Sequence, residues 1–440
     1  MPIVLQQLPR KLAVAALAFV AVFGALKLID GAGPAPSLPP SEFGAPAPVA
    51  PGASTDQQIA ALQAQVGSAP GDPQGYGDLG LAYLQKVRET GDATFYTKAD
   101  GVFRQALRLD PSDFTSTSGL GSLALSRHDF RGGLAWGERA RRINPTVARN
   151  YGVIADAQIE LGRYAAAGRT LQRWVDLRPE LSSYARVSYF RELHGDLPGA
   201  LAAMRLAVSA GGDTPENSGY VEALIGTLQL DAGAYGAAES AYRQALALDP
   251  GYPLALAGLA RVEAGRGDYG EAIHHYRHVV QVLPLPEYVI GLGETEQAAG
   301  RRLASKRDYA LVGAETRLLR ANGVNTDVDL ALFEANHGSA ARAVVLGRRA
   351  WAAAPSVRSA DAYAWSLSAD GRQAPALHYS RLAMRLGSRD PSFLFHAGVI
   401  AHRGGDDARA RSLLGLVVSQ SPRFNPLYGP EAGRILRETR

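Results

Sequence analysis

An all-α solenoid of about ten helix–turn–helix repeats is the fold class this 440-residue sequence predicts. Three observations predict it. The phrase RQALRLDP at Arg104–Pro111 returns as RQALALDP at Arg243–Pro250, 139 residues on. Pro111, Pro145 and Pro179 follow one another at intervals of 34, as do Pro250 and Pro284. From Asp56 onward the apolar pattern is continuously helical, punctuated by Gly-Asp, Gly-Arg and Asp-Pro breaks. A fixed period of this length marks an array of hairpins too small to stand alone, which bury a continuous core by stacking.

The elements follow in order. Residues 1–30 read as a signal-anchor or signal peptide: Arg10 and Lys11 precede fifteen apolar residues, Leu12–Leu26. Carried on to Ile29, with Lys27 snorkelling, the helix spans about 27 Å at about 1.5 Å per residue, enough to reach across a bilayer. The leading charges predict the N-terminus inside and the remainder extracytoplasmic. Small-x-small cleavage sites at Gly31/Gly33 and Gly33/Ala35 are each followed by proline, so a retained anchor is favoured over secretion after cleavage. Residues 31–55 are a linker, with seven prolines between Gly31 and Ser54 that favour extended, semi-rigid chain. Residues 56–422 form the repeat array, opened by the half-unit DQQIAALQAQVGSAP, and residues 423–440 a capping helix.

The period has a physical reason. Two antiparallel helices that approach closely need small residues where they cross. The first helices supply Gly80, Gly121, Ala155, Ser188, Gly226, Ala260, Gly293, Ala331, Ala364 and Gly398. The second supply Ala99, Gly133, Ala167, Ala200, Ala238, Ala272, Ser305, Ala343, Ala376 and Ala410. Large residues late in the second helix, such as Phe103, Leu171, Met204, Tyr242 and Tyr276, are expected to plug the next unit. The terminal proline then stops the helix. The unit around Leu292–Val312 is degenerate in this pattern, as are those bearing Leu330 and Tyr363.

One copy reads Tyr76-x2-Leu79-Gly80-x2-Tyr83, then Ala99, Phe103, Ala106 and Pro111; the best-kept is LALAGLARVEAGRGDYGEAIHHYRHVVQVLP. The unit resembles a tetratricopeptide repeat over roughly Asp56–Pro422. The resemblance implies a right-handed superhelix whose first helices line a concave groove for protein or peptide partners, with no catalysis and no cofactor. In that register the groove face carries Arg149, Asp156, Glu160, Tyr189, Thr227, Asp231, Arg261, Glu294, Gln297, Trp365 and His402, a mixture of charge and aromatics suited to an extended peptide or a partner helix. The bland reading makes them solvated residues of a curved surface. Members that clamp a C-terminal carboxylate carry lysine, asparagine and arginine where this chain has residues such as Gly77, Leu81 and Ser118, so that specialisation is not expected.

Composition excludes several functions. With 46 basic against 42 acidic residues the net charge is only +4, and no basic cluster carries interleaved aromatics, so no nucleic-acid partner is expected. The absence of cysteine excludes disulfides, thiol catalysis and thiolate metal sites. In HHYRH, His274 and His278 stand four apart on a helix, a chelating spacing, but the glutamate of zinc hydrolases is missing and surface histidines are the simpler reading. GLGETEQAAG at Gly291 lacks the lysine and the preceding strand of a phosphate loop. No metal, cofactor or small-molecule substrate is therefore expected. The alternatives to a membrane-tethered scaffold are a metal-assisted enzyme centred on His274/His278 and a soluble cytoplasmic regulator whose Leu12–Leu26 helix binds a partner.

Overall fold

The computed structural model describes residues 53–210 and 215–439; the apolar segment 1–30, nearly all of the 31–55 stretch and the middle of AGGDTPENSG lie outside the described residues. The described residues hold 22 α-helices and no strand. A lone helix α1 (Thr55–Ser68) is followed by ten helical pairs and a final helix α22 (Tyr428–Glu438). The pairs run from α2–α3 (Pro73–Thr90, Thr94–Leu109) and α4–α5 (Phe114–Ser126, Phe130–Ile143) through α6–α7 (Arg149–Glu160, Tyr164–Leu177) and α8–α9 (Leu181–Leu193, Leu197–Ala210). They continue with α10–α11 (Pro215–Asp231, Tyr235–Leu248), α12–α13 (Pro253–Arg266, Tyr269–Val282) and α14–α15 (Pro286–Ala298, Arg302–Ala321). The last three are α16–α17 (Asp327–His337, Ala340–Ala353), α18–α19 (Val357–Ala369, Gln373–Ala383) and α20–α21 (Pro391–Arg403, Asp407–Gln420).

Local chemistry sets the helix ends. Ser54 and Gln57 make a reciprocal capping box at the start of α1, and Asp72, followed by Pro73, accepts from the Gln74 and Gly75 amides at the start of α2. Second helices end on Asp110, Asn144, Arg178 and Asp249, all in extended backbone with ψ between 96° and 101°. Each precedes a proline, whose ring disfavours the helical conformation in the residue before it. The recurring phrase is thus the stop of a second helix.

All twenty small residues of the predicted crossings are buried. The plugs work as spacing suggests. A Cβ at Gly80 would stand 2.3 Å from the Phe103 ring and one at Gly119 2.4 Å, so the ring lies between the first helices of its own and the next repeat. Tyr242 fills the same place between Gly226 and Gly258, where a Cβ would stand 2.6 Å and 2.2 Å from its ring. Ala167, at the crossing in α7, is fully buried. Ala167→Leu is therefore expected to overpack this joint and cost about 1–3 kcal/mol, read as a lowered melting temperature; an unchanged one contradicts the register.

The chain divides into two compact units. Of the described residues, one holds 53–157 with Leu318–Asn325; the other holds those of Gln158–Arg317 and of 326–439. In the first, the end of α15 and the turn after it form a strap over the early repeats. Val324 is buried in the core of Leu79, Tyr83, Tyr96 and Phe103. The Asn325 amide donates to the Arg127 carbonyl at 2.9 Å, and Arg127 Nε donates to the Asn322 carbonyl at 2.8 Å.

Candidate functional site

The first-helix face predicted from register is described unit by unit. In the unit of the early repeats, Asp78 on α2, Phe114 at the start of α4 and Arg149 at the start of α6 come together, each half-buried. The Arg149 guanidinium lies 5.4 Å from the Phe114 ring centroid, within cation–π range. Burial draws it below its ordinary pKa range while nearby Asp78 opposes the shift. Its Nε is buried without a hydrogen-bond partner. Burial likewise raises the Asp78 carboxyl, and the 2.9 Å hydrogen bond donated by Gln74 Nε2 works against it. Asp156, further along this face, is buried.

In the larger unit most of the predicted residues are buried, and the chain itself supplies their partners. Tyr189 Oη donates to Glu160 Oε1 at 3.1 Å, and Arg358, from α18, stands 4.0 Å from the other Glu160 oxygen. Next to it the Val357 amide donates to Tyr164 Oη at 2.8 Å, joining residues 193 positions apart. Arg261 and Asp231 form an ion pair at 2.8 Å, and Thr227 shares a hydrogen bond with Tyr242 Oη at 3.1 Å. Beyond Asp231, Gly233 adopts φ 75° and a Cβ there would lie 1.7 Å from the Gln420 carbonyl oxygen, so backbone meets backbone. The Arg423 amide donates to Tyr235 Oη at 3.1 Å. Glu294 accepts from Asn425 Nδ2 at 2.7 Å and from His337 Nε2 at 3.0 Å. Trp365 Nε1 donates to Asn336 at 2.7 Å while its ring stacks on His396, centroids 4.4 Å apart. Gln297 is exposed and accepts from Tyr309 Oη at 3.2 Å; His402 bonds Asp407 at 2.7 Å.

Residues 355–358 and 420–428 therefore reach Glu160 and Glu294 of this face and pack at the turns that follow α6 and α10. Two carboxyls here escaped sequence reading. Glu192 lines a cavity of about 30 Å³ with Arg186, Tyr189, Tyr220 and Thr227, room for one or two waters and nothing larger. Burial, and then the negative charge of Asp231 and Asp390, pushes it well above the usual carboxylate range. Glu287, in the first turn of α14, is pushed up to about 8, chiefly by burial, with Asp329 adding to the shift. Nothing in PEYVIGLG distinguishes it from a surface glutamate of a first helical turn. Because its folded pKa lies above the ordinary 4.5, the folded state binds the extra proton, and stability falls as pH rises from about 4.5 to about 8. Glu287→Gln is expected to flatten that part of the stability–pH curve; parallel curves for variant and parent contradict it.

The histidine cluster lies on α13. His275 Nδ1 stands 2.9 Å from Glu263 Oε2, a hydrogen bond that raises its pKa, whereas His274 and His278 are exposed. Among the described residues no group of three or more histidine or carboxylate side chains is placed to hold a metal ion. Among them, too, no helix is long and apolar enough to cross a membrane.

With the geometry in place, comparisons locate the chain among known proteins. It is 26% identical over 201 residues, 45% of this chain, to the cellulose synthase 1 operon protein C of Komagataeibacter xylinus, and spans 13% of that protein's length. The human IFIT1 dimer with PPP-AAAA is similar at 17% identity and TM-score 0.46, over 71% of this chain and 72% of that one. Yeast Tom70 is similar at 12% identity and TM-score 0.35, over 88% and 92%. Residues 229–289, from the end of α10 through the beginning of α14, match the tetratricopeptide repeat family, and the best-kept copy quoted from the sequence falls inside that match.

Proposed function

We propose that the protein is a non-catalytic scaffold that holds protein or peptide partners on its first-helix face, tethered to a membrane by residues 1–30 with the repeats extracytoplasmic. The stacked hairpins and the tetratricopeptide match over 229–289 support the scaffold reading. The observation that carries the binding surface is the Asp78–Phe114–Arg149 cluster. It combines a half-buried arginine, an aromatic ring and a carboxylate from three successive first helices, and the Arg149 Nε has no hydrogen-bond partner within the chain. Arginine and aromatic side chains of this kind dominate binding energy at protein interfaces. In the larger unit the corresponding face is engaged by residues 355–358 and 420–428, so the early repeats are the part of the face we assign to partners.

Crosslinking of the full chain in its own cells, followed by mass spectrometry, tests this. Partners are expected to crosslink next to residues 76–118 and 149. Arg149→Ala is expected to weaken their binding by about 2 kcal/mol, roughly thirty-fold. Crosslinks confined to other surfaces, or full binding by the variant, overturn the assignment. Recovery of the chain in a soluble cytoplasmic fraction overturns the tether and leaves the binding surface standing.

A further inference from the structure

The helix α15 belongs to one of the degenerate repeats, and it runs for 20 residues where most second helices run for 14. Its inner side is anchored by buried Ser305, Asp308, Val312 and Thr316. Its outer side is unusual. Leu303 is 86% exposed and Leu311 44%, with exposed Ala310 and Ala314 between them. At about 100° per residue these four fall within an arc of about 100°. Exposed Arg302, Lys306 and Arg317 fall in an adjoining arc of about 60°. Arg307 rises through the aliphatic arc, its side chain 70% exposed and paired with Asp308 at 3.3 Å. The acidic residues of this stretch, Asp308 and Glu315, are buried and half-buried.

We propose that this face of α15 is a docking surface for an anionic lipid bilayer. Charge complementarity selects a negative partner, since the exposed charges on this stretch are basic. Shape and composition select lipid over an acidic protein. The patch is the outer side of one helix, aliphatic but for Arg307 and without an aromatic side chain in its arc, whereas protein interfaces are built around aromatic and arginine anchors seated in pockets. A bilayer surface accepts such a face: leucines enter the headgroup boundary while flanking lysine and arginine meet lipid phosphates. The contact is separate from residues 1–30 and stands whether or not that segment anchors the chain.

The absence of cysteine makes the test direct. An environment-sensitive fluorophore is attached to Ala314→Cys in the full chain, and a second preparation carries it on Gly270→Cys, an exposed position on α13 where a Cβ meets nothing within 4 Å. Each is reconstituted in phosphatidylcholine vesicles with or without phosphatidylglycerol. Expected is a blue shift, with quenching by spin-labelled lipid, at position 314 only and with phosphatidylglycerol only. Both signals should be lost on Lys306→Glu with Arg317→Glu, and on Leu303→Ser with Leu311→Ser, all exposed changes with circular dichroism expected to stay unaltered. A dye that stays in water on anionic vesicles, an equal shift on phosphatidylcholine alone, or a shift produced without lipid by a co-purifying acidic protein overturns the proposal. Quenching at position 270 as well shows the anchor pressing the whole chain to the bilayer and equally overturns it.

Discussion

Phe103→Ala is expected to remove about 3–5 kcal/mol from the unit of the early repeats, one of the two largest effects of a single substitution predicted for this chain. Phe103 is fully buried, and its ring is held between Gly80 of its own repeat and Gly119 of the next. Those glycines have no side chains that can move in, so the void left by the ring stays open and both joints lose their contacts at once. The measurement is hydrogen exchange across α2 to α4 in increasing urea, which reads this unit apart from the rest. Protection there should collapse at lower urea while α16 to α22 keep theirs. Gly119→Ala offers the opposite perturbation at the same joint: it pushes a methyl group into the ring and is expected to cost about 1–3 kcal/mol. If Phe103→Ala leaves exchange in α2 to α4 unchanged, the ring is not the plug described.

The second large effect is expected at Glu294. Its side chain, 10% exposed, accepts from His337, itself 6% exposed, and from Asn425. The carboxylate acceptor fixes the ring proton of His337 on Nε2, and the ring is held by stacking on Tyr309 with centroids 4.3 Å apart. Glu294→Ala strands the buried His337 donor and the half-buried Asn425 donor at about 1–3 kcal/mol each, an expected total of about 2–6 kcal/mol. The loss should appear first at the C-terminal end, where Asn425 leads into α22. Limited proteolysis is therefore expected to cut near residues 420–428 in the variant before any cut in α6 to α13. Glu294→Gln retains one acceptor oxygen and should fall between parent and alanine variant. Proteolysis unchanged in Glu294→Ala would show that the clasp at Asn425 is not what holds α22.

How much of this was legible in the sequence depends on the range of the interaction. The helix stops were legible because proline acts on the residue beside it, as Asp110 and Asp249 show. The crossings were legible because a close approach between neighbouring helices excludes large side chains wherever it recurs, so Gly80, Ala167 and Ala260 mark themselves by spacing. The departure around Leu292–Val312 was legible too, and it became the long helix α15. The set of first-helix residues was read as a face, and that reading was silent about its surroundings. Glu160, Asp231 and Glu294 look alike in sequence, as polar residues in first helices. Nothing adjacent announces that Arg358 stands beside the first and Asn425 bonds the third. Glu287 and Glu192 were missed for the same reason: their shifted protons come from burial and from carboxylates of other helices.

By itself, then, the amino-acid sequence determined the repeat, the pairing of helices and the small residues at their crossings, all consequences of contacts within a unit or between neighbours. Only the tertiary structure decided which first-helix residues are covered by other parts of the chain. Each joint contributes a small rotation, and the course of the stack is their sum. Whether Val357 reaches Tyr164, or Arg423 reaches Tyr235, is fixed by that sum and by no single position along the chain.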